Sequence, residues 1–132
     1  MAQQSLFSVL GLLIRDGKIL AVSRKDNHTD LGLPGGKIDP GETPEQALIR
    51  ELGQEIGVRP KEFRKIFEDL DRIVGGELRP CRTYLIESWE GEPVSLEAAV
   101  IEWVHPPRLL EPTHSFHQYN QKLFDHIGPI WL

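Results

Sequence analysis

The sequence predicts an α+β domain in which a mixed β-sheet packs with two helices. Three observations carry this expectation. A capped amphipathic helix is written between Thr43 and Gly57, two apolar runs near the N-terminus flank a tight-turn signal, and a second helical period closes the chain. At 132 residues the chain is expected to form one domain, 1–132, around one core.

The first apolar run, 6–14, is apolar on both faces, as in a covered central strand. It lacks a basic leader and is broken by Ser8 and Gly11, so it reads as a strand and as neither a signal peptide nor a membrane span. Arg15-Asp16-Gly17-Lys18 is a hairpin signal joining it to a second run, 19–23. Residues 65–73, 82–87 and 99–104 are further strand candidates, with Gly75-Gly76 as the turn between the first two. Phe116, Tyr119, Leu123 and Ile127 recur at helical spacing and predict the second helix.

The first helix has the clearest local grammar. Thr43 is an N-cap, Pro44 suits the first helical position, and Gln46 can close a capping box. Gly57 is a natural stop because it can take the left-handed conformation. On a helical wheel Leu48, Ile49, Leu52 and Ile56 share an arc expected to face the core, and Ala47, Glu51, Gln54 and Glu55 share the neighbouring arc. Gly53 points elsewhere, at a cost of about 1 kcal/mol relative to Ala.

Composition limits the function. A net charge of -5 and a pI near 5.5 argue against a general binder of nucleic-acid polymers or membranes, so affinity for phosphate must come from local bases and metal. The lone Cys81 excludes an internal disulfide, fits a reducing, cytoplasmic setting, and reads as a small core residue on a strand.

The chemistry concentrates between Leu33 and Val58. Leu33-Pro34-Gly35-Gly36-Lys37 lets backbone approach a ligand closely, and the helix that follows carries Glu51 and Glu55 at the margin of its apolar arc. Hard cations such as magnesium take oxygen ligands, few carboxylates among them, alongside waters and substrate phosphates. Carboxylates at i and i+4 with a loop carbonyl meet that need. The rival phosphate-binding P-loop fails, because Lys37 is followed by Ile38 and the helix begins only near Thr43.

These residues resemble the signature of the Nudix hydrolases. Gly36, Glu42, Arg50, Glu51, Leu52, Glu55, Gly57 and Val58 match it in register, and Gln54 departs from it by standing where a Glu is expected. A weaker likeness to the MutT-like branch runs further along the chain, through Trp89-Glu90-Gly91-Glu92-Pro93. The resemblance implies an α/β/α sandwich and hydrolysis of a nucleoside diphosphate linked to another group, using magnesium or manganese. It implies Glu51 and Glu55 as the catalytic carboxylates, Glu51 helping to orient or deprotonate water. The implied metal set is the Gly36 carbonyl, Glu51, Gln54, Glu55 and Glu97, with Glu102 as a competitor for the last place. Arg50 and Glu42 would brace the loop against the helix. Arg24 and Lys37 are candidates for phosphate contacts, each with an ordinary solvated base as the alternative.

Glutamine offers an oxygen but no charge, so Gln54 should weaken a hard-cation site without disturbing the fold. It leaves open an enzyme with altered metal use, a binding-only descendant, or a substitution that silences turnover. His114 and His117 lack a Cys/His partner set and read as surface or helix-start residues. Glu111-Pro112-Thr113-His114 could line a base pocket, while Trp89 and Trp103 read as packing residues. Three functions follow in order. The first is a MutT-like pyrophosphohydrolase releasing monophosphate and pyrophosphate from a nucleoside triphosphate, an oxidised purine nucleotide among the candidates. The second is a Nudix hydrolase of ADP-ribose, a nucleotide sugar or a dinucleotide, and the third a catalytically silent nucleotide-binding module. The expected partner is a small nucleotide, with the chain acting as monomer or homodimer.

Overall fold

The computed structural model describes residues 5–72, 76–97 and 99–128. Its local structure begins with the expected hairpin. Asp16 and Gly17 both take positive φ, 52° and 74°, and join β2 (Ile14–Arg15) to β3 (Lys18–Arg24) with Arg15 opposite Lys18. Two consecutive positive φ values match the right-handed twist of the strands they connect.

The strands divide into two sheets, one mixed and one antiparallel. In the mixed sheet β1 (Ser8–Leu12) is flanked by β5 (Gly35–Lys37), antiparallel, and β7 (Leu78–Glu90), parallel, while β6 (Arg59–Arg72) forms the far edge. The first apolar run therefore supplies a central strand, as its two-sided pattern requires, and then passes into the second sheet at Ile14. There β3 pairs with β2, with β4 (Asn27–Gly32) and with β8 (Ile101–Val104). β4 and β5 escape a periodicity reading because Asn27-His28-Thr29-Asp30 and Gly35-Gly36-Lys37 carry almost no apolar alternation. β6 and β7 run well beyond 65–72 and 82–87; the charged side chains of β6 are tolerated because it is an edge strand, where charge discourages further pairing. Ile73 and Gly75, which the sequence assigned to the strand end and the turn, lie outside the described residues.

Strand alternation sorts side chains to two cores. Val9, Leu20 and Val22 face α1 (Pro44–Ile56) through Ala47, Leu48, Leu52 and Ile56. Leu12, Ile19 and Ala21 face α2 (His117–Ile127) through Tyr119, Leu123 and Phe124, with Cys81 beside them. The result is helix, sheets, helix. A short 3-10 helix, Pro106–Leu110, not anticipated from the sequence, adds Leu109 to the second core. Trp89 and Trp103 pack at the edge of the first core, and both rings contact the Arg15 guanidinium.

The capping box of α1 forms as written, with the Gln46 amide donating to Thr43 Oγ1 at 3.1 Å, the Thr43 amide to Gln46 Oε1 at 2.9 Å, and Gly57 at φ 68°. The buried arc, however, is rotated from expectation. Ile49 is 42% exposed and Ala47 is fully buried. The helix buries Leu48, Leu52 and Ile56 as expected and adds Ala47 from the neighbouring arc, and the acids that follow Ala47 on that arc meet the glycine strand. That rotation makes Glu51 and Glu55 half-buried while Gln54 stays exposed.

Candidate active site

The glycine strand β5 lies beside α1, and the contact is made by the two acids. The Gly35 amide donates to Glu55 Oε1 at 3.2 Å. A Cβ on Gly36 would fall 2.6 Å from Cδ of Glu51 and 2.7 Å from both its oxygens, so the missing side chain is what admits this carboxylate. Gly35 itself has φ 146° and passes so close to Val9 that a Cβ would stand 2.1 Å from the Val9 carbonyl oxygen. Both glycines of the turn are thus required by close approach.

Arg50 stitches this unit together. Its Nε and Nη2 donate to the two Glu42 oxygens at 2.7 and 2.8 Å, Nη2 also to the Lys37 carbonyl at 3.0 Å, and Nη1 to Glu51 at 2.8 Å and to Gln54 at 3.4 Å. The Glu42 carboxylate also accepts from the Asp39 amide at 2.8 Å. Bidentate pairing with Arg50 and this amide hold the Glu42 carboxyl down at about 2. Loop, strand and helix are braced by one guanidinium.

Glu55 has the opposite environment. Burial chiefly, then the nearby charges of Glu51 and Glu97, push its carboxyl up to about 8 against the pull of the Gly35 amide and of Lys25. Glu97, on the loop after β7, is therefore the second carboxylate within electrostatic reach, and it accepts from Lys25 Nζ at 3.0 Å. Its competitor Glu102 sits on β8 and is bound to Arg108 at 2.6 Å.

Next to these acids opens a cleft of about 340 Å³, in the size range of ligand pockets. Gly36, Lys37, Glu55, Arg24 and Lys25 line it, together with Phe7, Phe116, Asp71 and Asn120. Both proposed phosphate cations line the cleft, but each already has company. Arg24 is doubly bonded to Asp26 at 2.9 and 2.7 Å and lies 3.9 Å from Asp30, and Lys37 Nζ lies 5.4 Å over the Phe7 ring. Sequence reasoning missed Lys25, Phe7, Asp71 and Asn120, although Lys25 adjoins Arg24 at the end of an apolar run and could have been suspected. It also missed Asp30, which accepts from the Ser115 amide at 2.8 Å and from the Ser115 hydroxyl, tying β4 to the entry of α2.

The segment Glu111-Pro112-Thr113-His114 does not line this cleft. Glu111, Thr113 and His114 border a separate depression with His28 and Arg108. His114 is 4% exposed and its Nδ1 accepts from the Leu31 amide at 3.0 Å, so it is a scaffold residue. Only further on, at Phe116 and Asn120, does the chain reach the cleft.

A NUDIX domain model matches residues 5–126. The chain belongs to the Nudix hydrolase family. It is 37% identical over 99 residues to an 8-oxo-dGTP diphosphatase of Escherichia coli K12, a match covering 72% of this chain and 76% of that protein. To an 8-oxo-dGTP diphosphatase of Haemophilus influenzae it is 34% identical over 134 residues, covering 86% and 98%. Its fold superposes on the crystal structure of a MutT NUDIX hydrolase from Burkholderia pseudomallei with a TM-score of 0.78, at 25% identity and with 96% and 100% of the two chains covered. This Nudix chain is thus a pyrophosphohydrolase of MutT-like kind, built as an α+β fold.

The donors of this Nudix site suit a hard cation. Glu51, Glu55, Glu97, the Gln54 amide and the backbone of Gly36 all present oxygen atoms, and the glycine cradle leaves the Glu51 carboxylate against the strand. Among the described residues no group of three or more His, Cys, Asp or Glu side chains is placed to hold a metal ion as the protein stands.

Proposed function

We propose that this Nudix hydrolase cleaves a nucleoside triphosphate to monophosphate and pyrophosphate, with an oxidised purine nucleotide as its leading substrate. The observation that carries this reading is the half-buried pair Glu51 and Glu55 against the glycine strand, with Glu55 lining a cleft that also has cations and aromatic walls. The names of its curated relatives support the base class.

In this reading the residues 1–132 work as one domain, as monomer or homodimer, on a small nucleotide in the cytoplasm. The Gly36 carbonyl, Glu51, Gln54, Glu55 and Glu97 would hold magnesium or manganese, which when bound neutralises phosphate charge and acidifies a water. Glu51, held in place by Arg50, orients the attacking water and accepts its proton. Glu55, whose carboxyl is raised chiefly by burial and then by Glu51 and Glu97, would ionise when it holds the cation. Arg24 and Lys37 steady the phosphates, Arg24 exchanging its bond to exposed Asp26 for one to substrate. Lys25 neutralises Glu97 until substrate arrives.

Gln54 favours a second reading, in which the chain binds nucleotide but turns it over slowly or not at all. Its side chain is exposed and uncharged where the family signature has a carboxylate. A panel of nucleoside triphosphates, ADP-ribose, nucleotide sugars and dinucleotides, incubated with magnesium and with manganese, separates the readings. Release of pyrophosphate from a triphosphate, abolished by chelator, is the expected result. Cleavage restricted to ADP-ribose or a dinucleotide would replace the substrate class. Binding without cleavage, in this chain and in Gln54→Glu alike, would leave the silent module.

A further inference from the structure

Consecutive residues of β4, Asp30, Leu31 and Gly32, hold consecutive residues at the entry to α2, Ser115, His114 and Phe116. The Ser115 amide and hydroxyl both donate to the Asp30 carboxylate, the Leu31 amide donates to His114 Nδ1 at 3.0 Å, and the Phe116 ring packs on Gly32. The two pairs of bonded residues lie 85 and 83 positions apart in sequence. Asp30 and His114 are 5% and 4% exposed, so water competes little for these bonds.

The chain gives up local preferences to make this clamp. Ser is among the favoured N-cap residues and apolar residues are poor ones. Yet the N-cap of α2 is Phe116, with no side-chain cap bond, and Ser115 turns its hydroxyl to Asp30 instead. The helix therefore starts where β4 holds it. Gly32 has no positive φ, so its backbone does not call for glycine. The ring does: a Cβ there would stand 3.1 Å from Cδ2 of Phe116. His114 carries a cost as well. With Nδ1 accepting, its Nε2 bears the proton, and that buried donor has no partner among the described residues, Glu111 Oε2 lying 3.9 Å away. Local rules broken together in this way gather at functional sites. What the clamp serves is the cleft, because Gly32 and Phe116 both line it.

We propose that His114 and Ser115 are positioning residues, which through β4 fix the Phe116 ring as a rigid wall against which the nucleoside part of the substrate packs. This rests on the nucleotide reading above and deepens it, assigning affinity for the nucleoside to a wall set from outside the phosphate-holding turn. His114 is the cleaner probe, since Asp30 also lies 3.9 Å from Arg24. His114→Leu removes the acceptor for the Leu31 amide, and His114→Asn restores it, because an Asn carbonyl oxygen stands in for Nδ1.

Binding of dGMP and of inorganic pyrophosphate to the full chain, with magnesium present, tests the proposal without requiring turnover. His114→Leu should weaken dGMP about fivefold, the loss of one well-placed ring contact, and leave pyrophosphate within about twofold. His114→Asn should recover the dGMP affinity. Phe116→Leu should cost the same factor, and the double variant about fivefold and not about 25-fold, because the His114 effect passes through the ring. Gly32→Ala keeps the hydrogen bonds and displaces only the ring, so it should show the same selective loss, and it decides the matter if His114→Leu does not fold. Losses that multiply, equal weakening of pyrophosphate, or full dGMP affinity in folded His114→Leu or Gly32→Ala overturn the proposal. Hydrolysis of dGTP by the unchanged chain is followed in parallel. These binding signatures without pyrophosphate release would overturn the reaction and leave the positioning role standing. Release without the signatures would do the reverse, and a chain that neither binds dGMP nor releases pyrophosphate would remove both.

Discussion

The carboxylate of Glu51 lies directly against Gly36, where a methyl group would stand 2.6 Å from its Cδ. The end of the Glu51 side chain can yield to such a group only by leaving its 2.8 Å bond from Arg50. Gly36→Ala is therefore expected to lower stability by about 1–3 kcal/mol, in line with overpacking, and to reduce activity with it. Gly53→Ala is the control. Nothing lies within 4 Å of its would-be Cβ, and the substitution should stabilise the helix by about 0.5–1 kcal/mol. Denaturant titrations of the pair check both signs.

Gln54 stands within 3.4 Å of Arg50 and is exposed, so a carboxylate can replace its amide without a burial cost. Gln54→Glu should raise magnesium-dependent turnover roughly 10²-fold, as expected for restoring one electrostatic stabiliser, and leave the melting temperature nearly unchanged. Steady-state kinetics with thermal melts measure this. No gain in kcat would count against a weakened metal site.

Arg50 joins Glu42, Glu51 and the Lys37 carbonyl through a planar fork that lysine cannot reproduce. Arg50→Lys should lower kcat by on the order of 10–10²-fold through misplacement of Glu51. The acid side carries a second signature. Glu42 titrates lower folded than unfolded, so its contribution to stability is present above the ordinary carboxylate range and fades as pH falls from there toward about 2. In Arg50→Lys that acid-side slope should flatten, which unfolding curves between pH 5 and 2.5 would detect.

Asp71 has the opposite sign. Its carboxyl is held at about 7 by burial, above its unfolded value, so the folded state binds the proton more tightly. Stability should fall as pH rises from about 4 through 7 and level off above. Asp71→Asn removes this dependence and should stabilise the free protein at pH 8 by up to about 4 kcal/mol, the linkage equivalent of the full shift, with little effect near pH 4. Melts across that range, in the absence of nucleotide, decide it.

Much of the architecture was legible in the chain because it obeys short-range rules. The Thr43–Gln46 box, the Gly57 stop and the Asp16-Gly17 turn each depend on a few adjacent residues, and each forms as written. The two-sided apolarity of the first run marked a central strand, and the i, i+4 acids with a preceding glycine turn marked where the chemistry concentrates. Failures arose where a wheel or a pattern had to know its neighbour. Ile49 turned outward and Ala47 inward, a choice between neighbouring arcs that depends on what the helix packs against. The strands β4 and β5 formed in polar and glycine-rich stretches because partners were available to pair with them.

The amino-acid order alone determined the helix and its caps, the family signature, the oxygen-rich donors around Gly36 and the anomaly at Gln54. Tertiary structure decided which acids are half-buried, that Glu97 and not Glu102 influences Glu55, and that Asp71 and Asn120 share a cleft with Phe7. The physical reason is range. Backbone hydrogen bonds and side-chain periodicity act over a turn or two, whereas burial and field depend on segments that only packing brings together.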